Sequence, residues 1–124
     1  MPKILLIDDE ELVVKSIERL LRKEGFEVVS KRSGQDAIQE VGKNDFDLII
    51  TDIRMPVMNG IDMISRIREV LRGKDRSRIP EICITGYADN ELYQKAEQLQ
   101  VADYLYKPFD LRDFLDCVRR HTQK

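Results

Sequence analysis

Five short apolar runs, separated by segments of helical spacing, set the terms on which this chain folds. The runs are Ile4-Leu5-Leu6-Ile7, Phe26-Glu27-Val28-Val29, Leu48-Ile49-Ile50, Ile82-Cys83-Ile84 and Tyr104-Leu105-Tyr106. Runs of this length without strict alternation of polar and apolar residues suit strands buried on both faces of a parallel sheet. Between them, apolar residues recur at helical spacing: Val13, Ile17, Leu20 and Leu21; then Ala37, Ile38 and Val41; then Ile64, Ile67, Val70 and Leu71. Leu92, Ala96 and Leu99 make a weaker stripe, and Leu111, Phe114, Leu115 and Val118 make the last. A strand followed by a helix, five times over, predicts a (βα)5 domain of the α/β class. Its parallel sheet is doubly wound, with helices on both faces.

The punctuation agrees. Gly25 stands where a left-handed helix cap belongs. Ser33 with Asp36 resembles a capping box, Asn59-Gly60 precedes the third helix, and Asp110 is placed to cap the last. Arg72-Gly73-Lys74-Asp75-Arg76-Ser77-Arg78 reads as a solvated loop between the third helix and fourth strand.

Composition narrows the function classes. The 124 residues carry 21 Lys+Arg against 23 Asp+Glu, a formal net charge of −2. That balance gives no basic nucleic-acid footprint. No apolar run approaches the ~20 residues that span a bilayer, and nothing at the start has signal-peptide architecture. Neither nucleic acid nor membrane is expected as a direct partner. Cys83 and Cys117 have neither metal-site nor disulfide-framework spacing and read as reduced, mostly buried thiols of a cytoplasmic protein. His121 reads as a helix-end residue.

The carboxylates carry the functional signal. Asp8 and Asp9 end the first strand and Asp52 ends the third. Open parallel sheets bind ligands outside the C-terminal strand ends at the topological switch point, which strands one and three flank in the common 2-1-3-4-5 order. Three carboxylates converging there repel one another. All-oxygen ligands with retained waters favour Mg²⁺ as the compensating cation. Thr85 and Lys107 end strands four and five in the same layer. A hydroxyl and an ammonium facing such a crevice fit an arriving phosphoryl group, with a carboxylate as nucleophile.

With these residues in place, the chain resembles a response-regulator receiver domain over residues 1–124. The matching text is Ile7-Asp8-Asp9-Glu10, Asp52-Ile53-Arg54-Met55-Pro56-Val57-Met58-Asn59-Gly60, Thr85-Gly86-Tyr87 and Tyr104-Leu105-Tyr106-Lys107-Pro108-Phe109. The resemblance implies the 2-1-3-4-5 order. It also implies a phosphoacceptor at Asp52 that takes a phosphoryl group from the phosphohistidine of a kinase or phosphotransfer protein. Asp9, Asp52 and the Arg54 backbone carbonyl would ligate Mg²⁺, with Asp8 acting mainly through water. Lys107 and Thr85 would contact the phosphoryl group, Tyr104 would be the switch aromatic, and the Lys107-Pro108 peptide would be cis. Arg54 and Tyr87 would border the site mouth and modulate the lifetime of the phosphorylated state. The fourth helix, fifth strand and fifth helix, with Tyr87, Tyr93, Tyr104 and Tyr106, would face a downstream effector or output domain. The resemblance also implies a monomer or a phosphorylation-dependent dimer, and not a conventional turnover enzyme.

Three rival readings compete with this one. A flavin-binding fold of the same architecture needs Ser, Thr and Gly donors after strand one, where this chain has Asp8-Asp9-Glu10-Glu11. An aspartate-nucleophile phosphohydrolase would carry an Asp-x-Asp pair and a cap insertion, which are lacking. A receiver-like module that binds partners without being phosphorylated remains open.

Overall fold

A computed structural model describes residues 1–86 and 88–123. Five strands alternate with five helices: β1 (Lys3–Ile7), α1 (Glu11–Lys23), β2 (Glu27–Lys31), α2 (Gly34–Lys43), β3 (Leu48–Asp52), α3 (Gly60–Gly73), β4 (Glu81–Thr85), α4 (Asn90–Gln98), β5 (Asp103–Tyr106) and α5 (Leu111–Thr122). All pairings are parallel, in the order β2-β1-β3-β4-β5. Both the (βα)5 architecture and the strand order expected above are present.

The sheet divides the core in two. Leu5, Ile7, Ile49 and Cys83 face Ala37, Val41, Ile64, Ile67 and Ala96 of α2, α3 and α4. Ile4, Leu6, Ile50 and Ile84 face Val14, Ile17, Leu21, Phe114 and Val118 of α1 and α5. Successive strand residues point to opposite faces, so each apolar run feeds both halves.

Burial on both faces holds for β3 and β4 throughout and for Ile4–Ile7 of β1. It fails for the outer strands. Glu27 of β2 is exposed, and residues 103–105 of β5 are only partly covered, because each of these strands pairs on one side alone. On α1 the innermost line is Val14, Ile17 and Leu21, with Val13 and Leu20 at its flank. The expected stripe on α5 also needs correcting, since Leu111 is exposed. Phe109, just before the Asp110 cap, stacks on Phe114 at 5.0 Å between ring centroids and packs, partly buried, against the core in its stead.

The caps are local and specific. Ser33 Oγ accepts from Asp36 N–H, Asn59 Oδ1 from Asp62 N–H, and Asp110 Oδ1 from the N–H groups of Arg112 and Asp113. Gly25 follows α1 at φ 93°, the left-handed conformation that favours glycine. The loop after α3 is mostly exposed, as expected, and two of its arginines also reach neighbouring elements. Arg76 donates to the carbonyls of Val41 and Asn44, and Arg78 to those of Leu99 and Gln100. Those two arginines join the loop to the ends of α2 and α4.

Candidate functional site

The C-terminal ends of β1 and β3 lie side by side, with Ile7 opposite Thr51. The next residues are therefore brought together: carboxylate oxygens of Asp8, Asp9 and Asp52 all lie within 4.8 Å of one another. Asp8 is fully buried, Asp52 nearly so, and Asp9 is exposed. Asp8 Oδ1 accepts from Glu10 N–H at 3.0 Å, and Asp52 Oδ1 from Ile53 N–H at 2.8 Å. These bonds fix both carboxylates while leaving a second oxygen on each.

Those second oxygens face Lys107. Its Nζ lies 3.4 Å from Asp8 Oδ2 and 3.6 Å from Asp52 Oδ2. The Lys107–Pro108 peptide is cis, and Lys107 N–H donates to the Thr85 carbonyl at 2.7 Å. Burial, then the neighbouring Asp8 charge, push the Asp52 carboxyl up to about 6 against the pull of Lys107. Burial works against the Lys107 ammonium, but Asp52 and Asp8 together outweigh it and hold it above its ordinary value. The crevice thus carries more negative charge than one ammonium neutralises.

Gly60 and Asp89 support this site, and the sequence reading did not assign them a role there. A Cβ on Gly60 would stand 2.3 Å from the Asp52 carbonyl oxygen and 3.2 Å from Ile53 Cα. Only glycine lets α3 start this close to β3, and Gly60 N–H donates to the Ile53 carbonyl at 2.8 Å. Asp89 caps α4 by accepting from Leu92 N–H, and it takes Arg54 Nη2 at 3.1 Å. The Leu92 N–H first, and the Arg54 guanidinium after it, hold the Asp89 carboxyl below its usual value. Asp89-Asn90 before a weak apolar stripe was a readable cap signal. Its pairing with Arg54 was not, because Arg54 is distant in sequence. The other proposed mouth residue, Tyr87, lies outside the described residues.

Thr85 ends β4 fully buried. Gly86 is exposed, and a Cβ there would meet nothing within 4 Å. Tyr104 packs edge-on against Tyr93 at 5.1 Å and tilts against Tyr106 at 5.4 Å. Tyr104 and Tyr106 share the face expected from strand alternation, and Tyr106 is 45% exposed. Burial pushes the Tyr104 hydroxyl up to about 12, and it has no hydrogen-bond partner among the described residues. Cys83 and Cys117 are both free and buried, as expected. His121 lies in the last turn of α5, as expected, and its Nε2 also lies 3.4 Å from Asp103 Oδ2.

The family model of the response regulator receiver domain matches residues 4–119. The chain is 31% identical over 118 residues to the transcriptional regulatory protein CrdR of Helicobacter pylori, covering 95% of this chain and 54% of that protein. It is 27% identical over 119 residues to the sporulation initiation phosphotransferase F of Bacillus subtilis, covering 96% and 92% respectively. A response regulator receiver domain from Clostridium thermocellum superposes with a TM-score of 0.87 at 27% identity, over 98% of this chain and 94% of that one. The chain belongs to the response regulator receiver domain family of two-component signalling. It spans about half the length of CrdR. Among the described residues, no helix is long and apolar enough to cross a membrane.

Proposed function

We propose that the chain accepts a phosphoryl group on Asp52 from the phosphohistidine of a histidine kinase or phosphotransfer protein. The observation that carries this reading is the crevice itself: three carboxylates from two strand ends gathered beside Lys107. An Asp52 carboxylate oxygen attacks phosphorus, the P–N bond breaks, and its electron pair stays on the departing imidazole. Lys107 neutralises a phosphoryl oxygen, and Thr85 donates a hydrogen bond to it. Gly86, small and open to solvent, keeps the donor's approach clear. Most of the catalysis is positioning and charge neutralisation, as in phosphoryl transfer generally.

The donor set fits Mg²⁺, a hard cation that prefers carboxylate and carbonyl oxygens. Asp9, Asp52 and the Arg54 carbonyl would hold it, with Asp8 acting through water, and it would offset charge on the phosphoryl oxygens. Once phosphorylated, Asp52 draws Thr85 toward it and the Tyr104 ring follows inward. This biases α4, β5 and α5 between two arrangements. That surface already offers a cleft of 260 Å³ lined by Tyr93, Ala96, Glu97, Asp103 and Tyr104. A downstream effector or output domain docks there. Arg54, paired with Asp89 across the mouth, regulates access of the hydrolytic water. The buried free thiols of Cys83 and Cys117 suit a cytoplasmic protein.

Intact mass after incubation with a small acyl phosphate and Mg²⁺ tests the reading. Wild type gains one phosphoryl group and Asp52→Asn gains none. A wild type without an adduct supports the non-phosphorylated binding module instead.

A further inference from the structure

A second cluster of metal-ligating side chains lies at the end of β5 opposite Lys107. Asp103 opens β5, while Cys117 and His121 stand one turn apart on α5, a spacing that puts both on one helix face. Single ligand atoms of Asp103, Cys117 and His121 lie within 4.8 Å of one another. Cys117 Sγ lies 3.2 Å from Asp103 Oδ2, and His121 Nε2 lies 3.4 Å from the same oxygen. A tetrahedral Zn²⁺, with bonds of about 2.0 Å to oxygen and nitrogen and about 2.3 Å to sulfur, sets such donors about 3.3–3.5 Å apart. The two separations from Asp103 Oδ2 need little adjustment, and Cys117 and His121 offer ligand atoms within 4.8 Å of each other.

We propose that Asp103, Cys117 and His121 form a binding site for a borderline divalent cation, Zn²⁺ foremost, that fastens α5 to the edge strand β5. Sulfur and imidazole donors select such a cation over Mg²⁺ or Ca²⁺. Three protein ligands leave the fourth tetrahedral position open. Tyr104 N–H donates to Asp103 Oδ1 at 3.1 Å, which orients the carboxylate with Oδ2 toward α5. Cys117 is buried, whereas His121 and Asp103 are partly exposed, so the cation has a route in from solvent. Without the cation, the Cys117 thiol, His121 and the Arg120 guanidinium share Asp103 Oδ2, with Arg120 Nη2 at 3.2 Å. Binding releases the thiol proton to solvent and displaces Arg120, so Arg120 competes with the metal.

The test uses the whole chain with Mg²⁺ in excess to occupy the acidic crevice. Titration with Co²⁺ should give one equivalent with a near-ultraviolet thiolate charge-transfer band, which Zn²⁺ then bleaches. His121→Ala should weaken binding at least about tenfold, Arg120→Gln should tighten it, and Asp52→Asn should leave it unchanged. Cys117→Ser should lose the band. Because Cys117 is in the core, the partly exposed His121 carries the test if that variant fails to fold. A wild type without the band, unchanged affinity in His121→Ala, or binding lost in Asp52→Asn overturns the proposal.

Discussion

Val57 holds a left-handed backbone, φ 71°, in the loop between Asp52 and α3, with its side chain fully exposed. A β-branched residue is strained there by about 1–2 kcal/mol, and no side-chain contact offsets it. Val57→Gly therefore stabilises the protein by about 0.5–1 kcal/mol in denaturant titration, after the extra chain entropy of glycine is counted. A different balance governs Glu81, fully buried at the start of β4. It is gripped by Arg68 through two bonds of 2.9 Å, and Arg78 lies at 3.6 Å. Arg68→Ala strands a buried carboxylate and costs about 3 kcal/mol, with Arg78 keeping it at the low end of the usual range. An exposed pair such as Lys15–Glu11 is screened by solvent and contributes little. Neither residue announces its role in sequence. Val57 lies in an ordinary loop text, and Glu81 pairs with a residue on another element.

Among the elements, β5 carries the aromatic packing on which the proposed switch rests. Tyr104 lies between Tyr93 of α4 and Tyr106, with its hydroxyl buried and unpartnered among the described residues. A buried hydroxyl without a partner costs on the order of 1 kcal/mol or more. Tyr104→Phe should therefore match or exceed wild-type stability, and a loss above about 1 kcal/mol would mean that the hydroxyl is bonded. Only Ala96 of α4 is fully buried, as its thin apolar stripe anticipated, and few buried contacts make an element easy to shift. The central strands were readable because an unbroken apolar run has nowhere to go but the middle of a sheet. The edge character of β2 and β5 was not, since exposure there depends on which strand lacks a neighbour. The exposure of Leu111 was hidden for a similar reason, because Phe109 from outside the helix supplies the packing that periodicity assigned to Leu111.

At the scale of the molecule, folding gathers like charges that the unfolded chain keeps apart. The crevice residues were readable because chemistry concentrates at strand ends, a position that the apolar runs locate. The Asp103–Cys117–His121 cluster was not, because it joins a strand start to a helix face with no motif linking them. Raising the Asp52 carboxyl from 3.8 to about 6 favours the folded state only while that group is protonated. The contribution is present below about pH 4 and is lost as pH rises through about 6, costing on the order of 2–3 kcal/mol of relative stability. In chelator, Asp52→Asn should therefore melt several degrees above wild type at pH 8, and the gap should close below pH 4. An unchanged gap across that range would show that Asp52 is not strained by its neighbours.

Asp52, and not Asp8 or Asp9, is the proposed nucleophile. Borohydride reduction of the phosphorylated protein converts an aspartyl phosphate to homoserine, and peptide mass mapping then locates it. Homoserine at position 52 alone is predicted; homoserine at position 8 or 9, or none in phosphorylated protein, contradicts the account.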